Sequence, residues 1–177
     1  MVSSDELHKI YKMLDDHENR LKELESIVNQ LRRRFGEVKV VEEVPGFQKL
    51  SKKTGIDVQT LKKLFDVDNE TITLLDVIGE NYKQKTQNAT LLVLLAYKYI
   101  FGIEEILSQE IRRNVAELGI PLSNFASYVK EMIPTLIRKK GKPRSPKTIY
   151  RLTIQGEVNA KKILKTLGET YEQTSPQ

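Results

Sequence analysis

The fourteen residues from Arg138 to Arg151 carry seven basic side chains, Arg138, Lys139, Lys140, Lys142, Arg144, Lys147 and Arg151, and no acidic one. Solvated loops usually mix both signs, so a run of one sign needs an anionic partner or extensive hydration. Other reactive chemistry is scarce. The two histidines, His8 and His17, share the N-terminal segment without the spacing of a metal pair, and no cysteine is present. Disulfides and thiol chemistry are therefore excluded, and nothing points to an oxidising compartment. No phosphate-binding glycine loop, nucleophile elbow or H-E-x-x-H signature occurs. Glu104 and Glu105 have no companion base or nucleophile and read as ordinary helix-surface residues. The expectation is a non-enzyme with no catalytic residue, cofactor or metal site.

The elements around the basic run give it a place. Thr135 to Arg138 and Thr148 to Thr153 are β-prone and flank a Gly, Pro and Ser segment, which predicts a β-hairpin. Before it, Ile111, Val115 and Leu118 share one helical face until Gly119 and Pro121. After a turn, Leu122, Phe125, Ala126, Val129, Met132 and Ile133 recur at three- and four-residue spacing. Ser123, Asn124, Ser127 and Lys130 fall on the opposite face, and Pro134 ends the helix. Glu157 to Leu167 repeats a helical pattern, with Gly168 as the expected stop. Thr90 to Phe101 is apolar nearly all round and predicts a buried central helix, with Tyr97, Tyr99 and Tyr128 as core residues.

Helix, helix, turn, helix, hairpin and helix, together with Tyr150-Arg151-Leu152-Thr153-Ile154-Gln155-Gly156, resemble the winged helix-turn-helix superfamily over roughly Ala89 to Leu167. The heptapeptide is similar to the Y-x-L-T-x-x-G ending of a second wing strand. The resemblance implies that Leu122 to Ile133 is a recognition helix and Lys139 to Lys147 a wing. It also implies double-stranded DNA as partner. Ser123, Asn124, Ser127 and Lys130 would then enter the major groove, while Arg138, Lys139, Lys140, Lys142, Arg144 and Lys147 meet phosphates. Because winged helices also dock proteins, fold alone does not fix the partner.

Charge distribution supports an anionic partner for the C-terminal part. Met1 to Gly36 holds seven basic and seven acidic residues, Glu37 to Gly102 nine of each, and Ile103 to Gln177 thirteen basic and eight acidic. The whole net charge of +5 thus lies in the last segment. The longest aliphatic run, Leu91 to Ala96, is far too short for a membrane span, and the N-terminus is charged and amphipathic, unlike a signal peptide. A cytoplasmic, nucleoid-associated protein is expected.

The first 36 residues carry a second pattern. Leu7, Leu14, Leu21, Val28 and Phe35 recur every seven residues, and Ile10, His17, Leu24 and Leu31 fill the position three further on. This a/d heptad predicts a coiled coil and hence a partner helix, most simply a second copy. Ser3 and Glu6 form a capping box at its start. In a parallel pair Arg20 faces Glu25 of the other chain. His17 reads as a polar residue that fixes register.

Residues 37–46 read as a linker, strand-like until Pro45-Gly46 breaks it. Residues 47–80 contain a helix-turn-helix-like unit, with Asp57 as N-cap and a strand at Thr71 to Ile78, and read as structural support for the 81–170 domain. Asn81 to Gln87 reads as a loop, and 171–177 as a flexible tail. The fold class expected is mainly α with a small β-hairpin wing (α+β), an N-terminal coiled-coil helix followed by a winged-helix body. Its function would be a homodimeric DNA-binding transcription regulator. The alternative is a scaffold whose coiled coil and body bind protein or RNA in a larger assembly.

Overall fold

The structure, a computed structural model, describes residues 12–14, 17–25, 45–141, 145 and 147–173. The chain divides into two units, Met1–Glu43 and Val44–Gln177. In the first, 12–14 and 17–25 are helical. Lys22 Nζ lies 2.9 Å from the Glu18 carboxylate one turn earlier, an i,i+4 pair that supports an exposed helix.

The second unit is mainly helical with two small antiparallel sheets. Its order is α1 (Pro45–Thr54), α2 (Val58–Leu64), β1 (Phe65–Asp68), β2 (Thr71–Leu74) and α3 (Tyr82–Ala96), which runs into a π-helical turn (Tyr97–Phe101). There follow β3 (Ile106–Leu107), α4 (Ser108–Glu117), α5 (Phe125–Lys130), β4 (Ile137–Lys140), β5 (Ile149–Leu152) and α6 (Ile154–Gln173). β1 pairs with β2, and the second sheet has the order β3-β5-β4.

Helix α3 is the centre. Every residue from Ala89 to Tyr97 is buried, as the all-round apolar pattern requires. Its buried threonines, Thr86 and Thr90, donate to the carbonyls of Tyr82 and Thr86, each at 2.7 Å, so neither hydroxyl is orphaned. Asn81 caps its start by accepting from Gln84 N–H at 2.9 Å. Asn81 to Gln87 is therefore the capped first turns of α3 and not a loop. Polar residues predominate there because these turns are largely exposed. Gly102, at φ 74, ends the π-turn in the left-handed region.

Several boundaries differ from the expected ones for physical reasons. Pro45 does not break the chain but opens α1, where its missing N–H costs nothing. Gly46 lies inside that helix because a Cβ there would come within 2.2 Å of the Ile100 carbonyl oxygen. Phe65 leaves the helix and starts β1, whose pairing with β2 the sequence pattern did not show; β2 ends at Leu74 rather than Ile78. Helix α6 begins at Ile154 and runs through Gly168, which is buried against Ile56. Glu104 and Glu105 lie in the loop before β3 instead of on a helix.

The β1–β2 hairpin is fastened to α4 by a buried polar cluster. The Leu74 N–H donates to Asn114 Oδ1 at 2.7 Å, while Asn114 Nδ2 donates to the carbonyls of Ile72 (3.0 Å) and Glu110 (3.1 Å). The Ile72 N–H donates to the Tyr97 hydroxyl at 3.1 Å, which in turn donates to Glu110 at 2.7 Å. Burial, and the Glu110 carboxylate beside it, push the Tyr97 hydroxyl up to about 12. Arg113 pairs with Glu110 and reaches the Ile72 carbonyl at 2.9 Å. With the outer edge of β2 satisfied in this way, residues 45–80 pack as part of the same body as α3 to α6.

Candidate nucleic-acid interface

Helix α5 is shorter than the Leu122 to Ile133 periodicity predicts. Leu122, Ser123 and Asn124 form the turn before it, and Met132 and Ile133 close it with bonds to Val129 (3.1 Å) and Lys130 (3.2 Å), three residues back. Phe125, Val129 and Met132 are buried, whereas Ala126 is exposed. Ser123, Asn124, Ser127 and Lys130 are all exposed, on the turn and the outer side of α5.

The basic hairpin is set by its register. Ile137 pairs with Leu152, Arg138 with Arg151, Lys139 with Tyr150, and Lys140 with Ile149. Because strand side chains alternate, Lys139 shares a face with Ile137 and Tyr150, while Arg138, Lys140 and Arg151 occupy the other. Arg138, Lys139, Lys140, Lys147 and Arg151 are exposed. Lys140 Nζ lies 3.6 Å from Glu105. Lys142 and Arg144 lie outside the described residues.

One member of each predicted set, Lys130 and Lys139, lines a common cleft, and Ser123, Asn124, Ser127, Arg138, Lys140 and Lys147 do not. A cavity of about 570 Å³ between α4, α5 and the hairpin is lined by Lys130 and Lys139, together with Arg112, Gln109 and Tyr150. Arg112 was not expected. It stands one turn after Ser108 on α4, away from buried Ile111 and Val115, so the helical spacing marks its side of the helix but not its role. Its guanidinium sits 4.4 Å from the centroid of the Phe125 ring, which fixes it between the two helices. Burial raises the Tyr150 hydroxyl pKa, against the opposing effects of the Ser108 hydrogen bond and the Arg112 charge.

The Tyr150 to Gly156 run acquires a mechanical account. Thr153 N–H donates to the Leu136 carbonyl at 3.0 Å, and its hydroxyl donates to the Thr135 carbonyl at 2.6 Å. The same hydroxyl accepts from Gly156 N–H at 2.9 Å, so Thr153 caps α6 while holding the base of the hairpin. A Cβ on Gly156 would fall 1.8 Å from the Leu136 carbonyl oxygen. Only glycine lets strand and helix approach this closely.

Behind the hairpin, Glu157 of α6 gathers Lys98 (2.8 Å), Tyr99 (2.5 Å) and Lys161 (2.6 Å). Burial would raise its carboxyl, but Lys161, Lys98 and Tyr99 outweigh that and hold it at about 2. This cluster anchors α6 to the π-turn and consumes the cations it contains.

Of the heptad residues, Leu14, His17, Leu21 and Leu24 are described. All four are helical and exposed, the three leucines by 57%, 60% and 58%, which is a large apolar exposure. Leu7, Ile10, Val28, Leu31 and Phe35 lie outside the described residues. No group of acidic or histidine side chains able to hold a metal occurs among the described residues, and no helix there is long and apolar enough to cross a membrane. The chain matches no protein-family profile, curated protein or solved structure, so its own geometry carries the functional reading.

Proposed function

We propose that the body is a winged helix that binds double-stranded DNA, with α5 and its preceding turn in the major groove and the basic hairpin on the backbone. The observation that carries this reading is the cleft that Lys130 of α5 shares with Lys139 of the hairpin, which brings one cation from each element together. The strand order β3-β5-β4 behind α4 and α5, and the Thr153–Gly156 lock, agree with the winged-helix topology. Short hydroxyl and amide side chains at Ser123, Asn124 and Ser127 offer hydrogen bonds to base edges. Arg112, Lys130, Arg138, Lys139, Lys140 and Lys147 supply the charge that dominates affinity.

The exposed Leu14, Leu21 and Leu24 stripe supports pairing of two chains through the N-terminal helix, which would place two readers on one duplex. A homodimeric transcription regulator follows from this combination. Fluorescence anisotropy with random-sequence duplex DNA tests the nucleic-acid part. Sedimentation tests the dimer, and a monomer at micromolar concentration would remove pairing from the reading.

A further inference from the structure

Lys83, Lys98, Arg113, Lys140 and Lys161 each lie within ion-pair distance of a carboxylate. Among the described residues, no carboxylate lies within ion-pair distance of Arg112, Lys130 or Lys139, and these three converge on the cleft between α4, α5 and the hairpin. Among the described residues, no carboxylate lines that cleft. Its remaining wall includes Ala126, Ile133 and the Tyr150 ring. At about 570 Å³ it falls inside the range of roughly 300–1,000 Å³ typical of small-molecule pockets.

A backbone phosphodiester uses only part of this arrangement. It needs the cations and leaves the apolar wall uncovered. An anionic group carried on an aromatic ring uses both, with charge-assisted hydrogen bonds at one end and apolar burial at the other. We propose that the cleft binds a small aromatic anion, an aryl phosphate or aryl carboxylate. Arg112, Lys130 and Lys139 hold its charged group, and its ring lies against Ala126, Ile133 and Tyr150. Arg112 is the best-placed anchor because its stacking on Phe125 orders the guanidinium before any ligand arrives. Lys130 and Lys139 cannot serve the ligand and a duplex together, so an occupied cleft competes with DNA. That competition rests on the nucleic-acid reading; occupancy of the cleft does not.

Calorimetric titration of the full chain with phenyl phosphate tests the site, with inorganic phosphate and benzyl alcohol as comparison ligands. Saturable binding of phenyl phosphate, tighter than either comparison ligand, is expected. Arg112→Gln should weaken it by about tenfold or more, the loss of one charge-assisted contact. Ala126→Leu, which narrows the cleft without touching a cation, should weaken phenyl phosphate but leave inorganic phosphate unchanged. Circular dichroism melting checks that each variant folds, and Lys139→Gln, on an exposed strand position, replaces Arg112→Gln if that variant does not. Absence of saturable binding overturns the proposal, as does equal affinity in the folded variants. Inorganic phosphate binding as tightly as phenyl phosphate also overturns it, and assigns the seat to a backbone phosphate. If phenyl phosphate binds but duplex DNA does not, the cleft stands and the nucleic-acid reading falls.

Discussion

Arg138 lies directly across the β4–β5 pair from Arg151, and both side chains are exposed. Like charges facing each other in adjacent strands destabilise a hairpin. Lys140 adds a third cation on the same face, with Glu105 at 3.6 Å the acidic neighbour it reaches. A folded domain that keeps this repulsion without need loses stability for nothing, whereas a polyanion laid along the hairpin relieves it.

Arg151→Glu turns the repulsive pair into an attractive one. Stability should rise by roughly 0.5–1 kcal/mol, read from urea unfolding, while duplex affinity falls. Stability and binding moving in opposite directions distinguishes a functional charge pair from a structural one. A variant that loses both, or keeps full binding, contradicts that assignment.

Asn114 fastens the β1–β2 hairpin to α4 through Leu74, Ile72 and Glu110, with its side chain fully buried. Asn114→Leu strands the Leu74 N–H and leaves the Ile72 carbonyl with Arg113 as its remaining side-chain donor. A loss of about 3 kcal/mol is expected, at the upper end for stranded buried polar groups. Hydrogen exchange should show the loss concentrated at Ile72 and Leu74. Uniform exchange across the body would mean that the cluster is not a local fastening.

Gly156→Ala drives a Cβ into the Leu136 carbonyl, and Thr153→Val removes the cap of α6 and its bond to Thr135. The threonine change should cost about 1 kcal/mol, the usual worth of a cap. The glycine change should cost more, because its neighbour is backbone and not a flexible side chain. Thermal melts that rank the two in reverse order would contradict the close approach drawn between Leu136 and α6.

Glu157 makes acid stability specific. Its carboxyl sits at about 2 in the folded body against an ordinary 4.5. A depressed carboxylate contributes fully above the unfolded value and loses its contribution as pH falls from about 4.5 towards 2. Unfolding free energy should therefore decline through that window. Glu157→Gln should be less stable at neutral pH by about 2 kcal/mol, the worth of hydrogen bonds to a charged group, and flatter in acid. Parallel pH profiles for the two proteins would remove Glu157 from the account.

The order of elements from α3 to α6 was legible because each carries its own local pattern. Ile111 and Val115 mark α4, Phe125 and Val129 mark α5, and Pro134 with the Gly, Pro and Ser segment marks the hairpin boundaries. The start of α3 was not, since Tyr82 to Gln87 is polar and largely exposed, and the cap at Asn81 is a single residue. Phe65 followed helical spacing from Leu61 and Leu64, yet it serves as the first residue of β1, where pairing with Leu74 outweighs local periodicity. Gly168 could not be seen as helical because the reason for it, contact with Ile56, joins residues far apart in the chain. Among interface residues, Ser123, Asn124, Ser127 and Lys130 were legible as the polar side of a helix. Arg112 was not singled out, because a lone arginine on α4 gains meaning only once Phe125, Lys130 and Lys139 are brought beside it.

The central claim is that α5 and the hairpin form one DNA-binding surface, and it is tested most directly by anisotropy of a random-sequence duplex across a salt series. The wild type is compared with a variant in which Lys130, Arg138, Lys139 and Lys140 are all changed to Gln. Four phosphate contacts per chain, eight in the proposed dimer, predict a log–log slope steeper by about 7 than that of the variant, at about 0.9 per contact. Binding at low salt that weakens with this steepness, and a clearly flatter slope in a variant that remains folded, is the predicted result. No duplex binding at low salt, or superimposable slopes for the two proteins, would contradict the account.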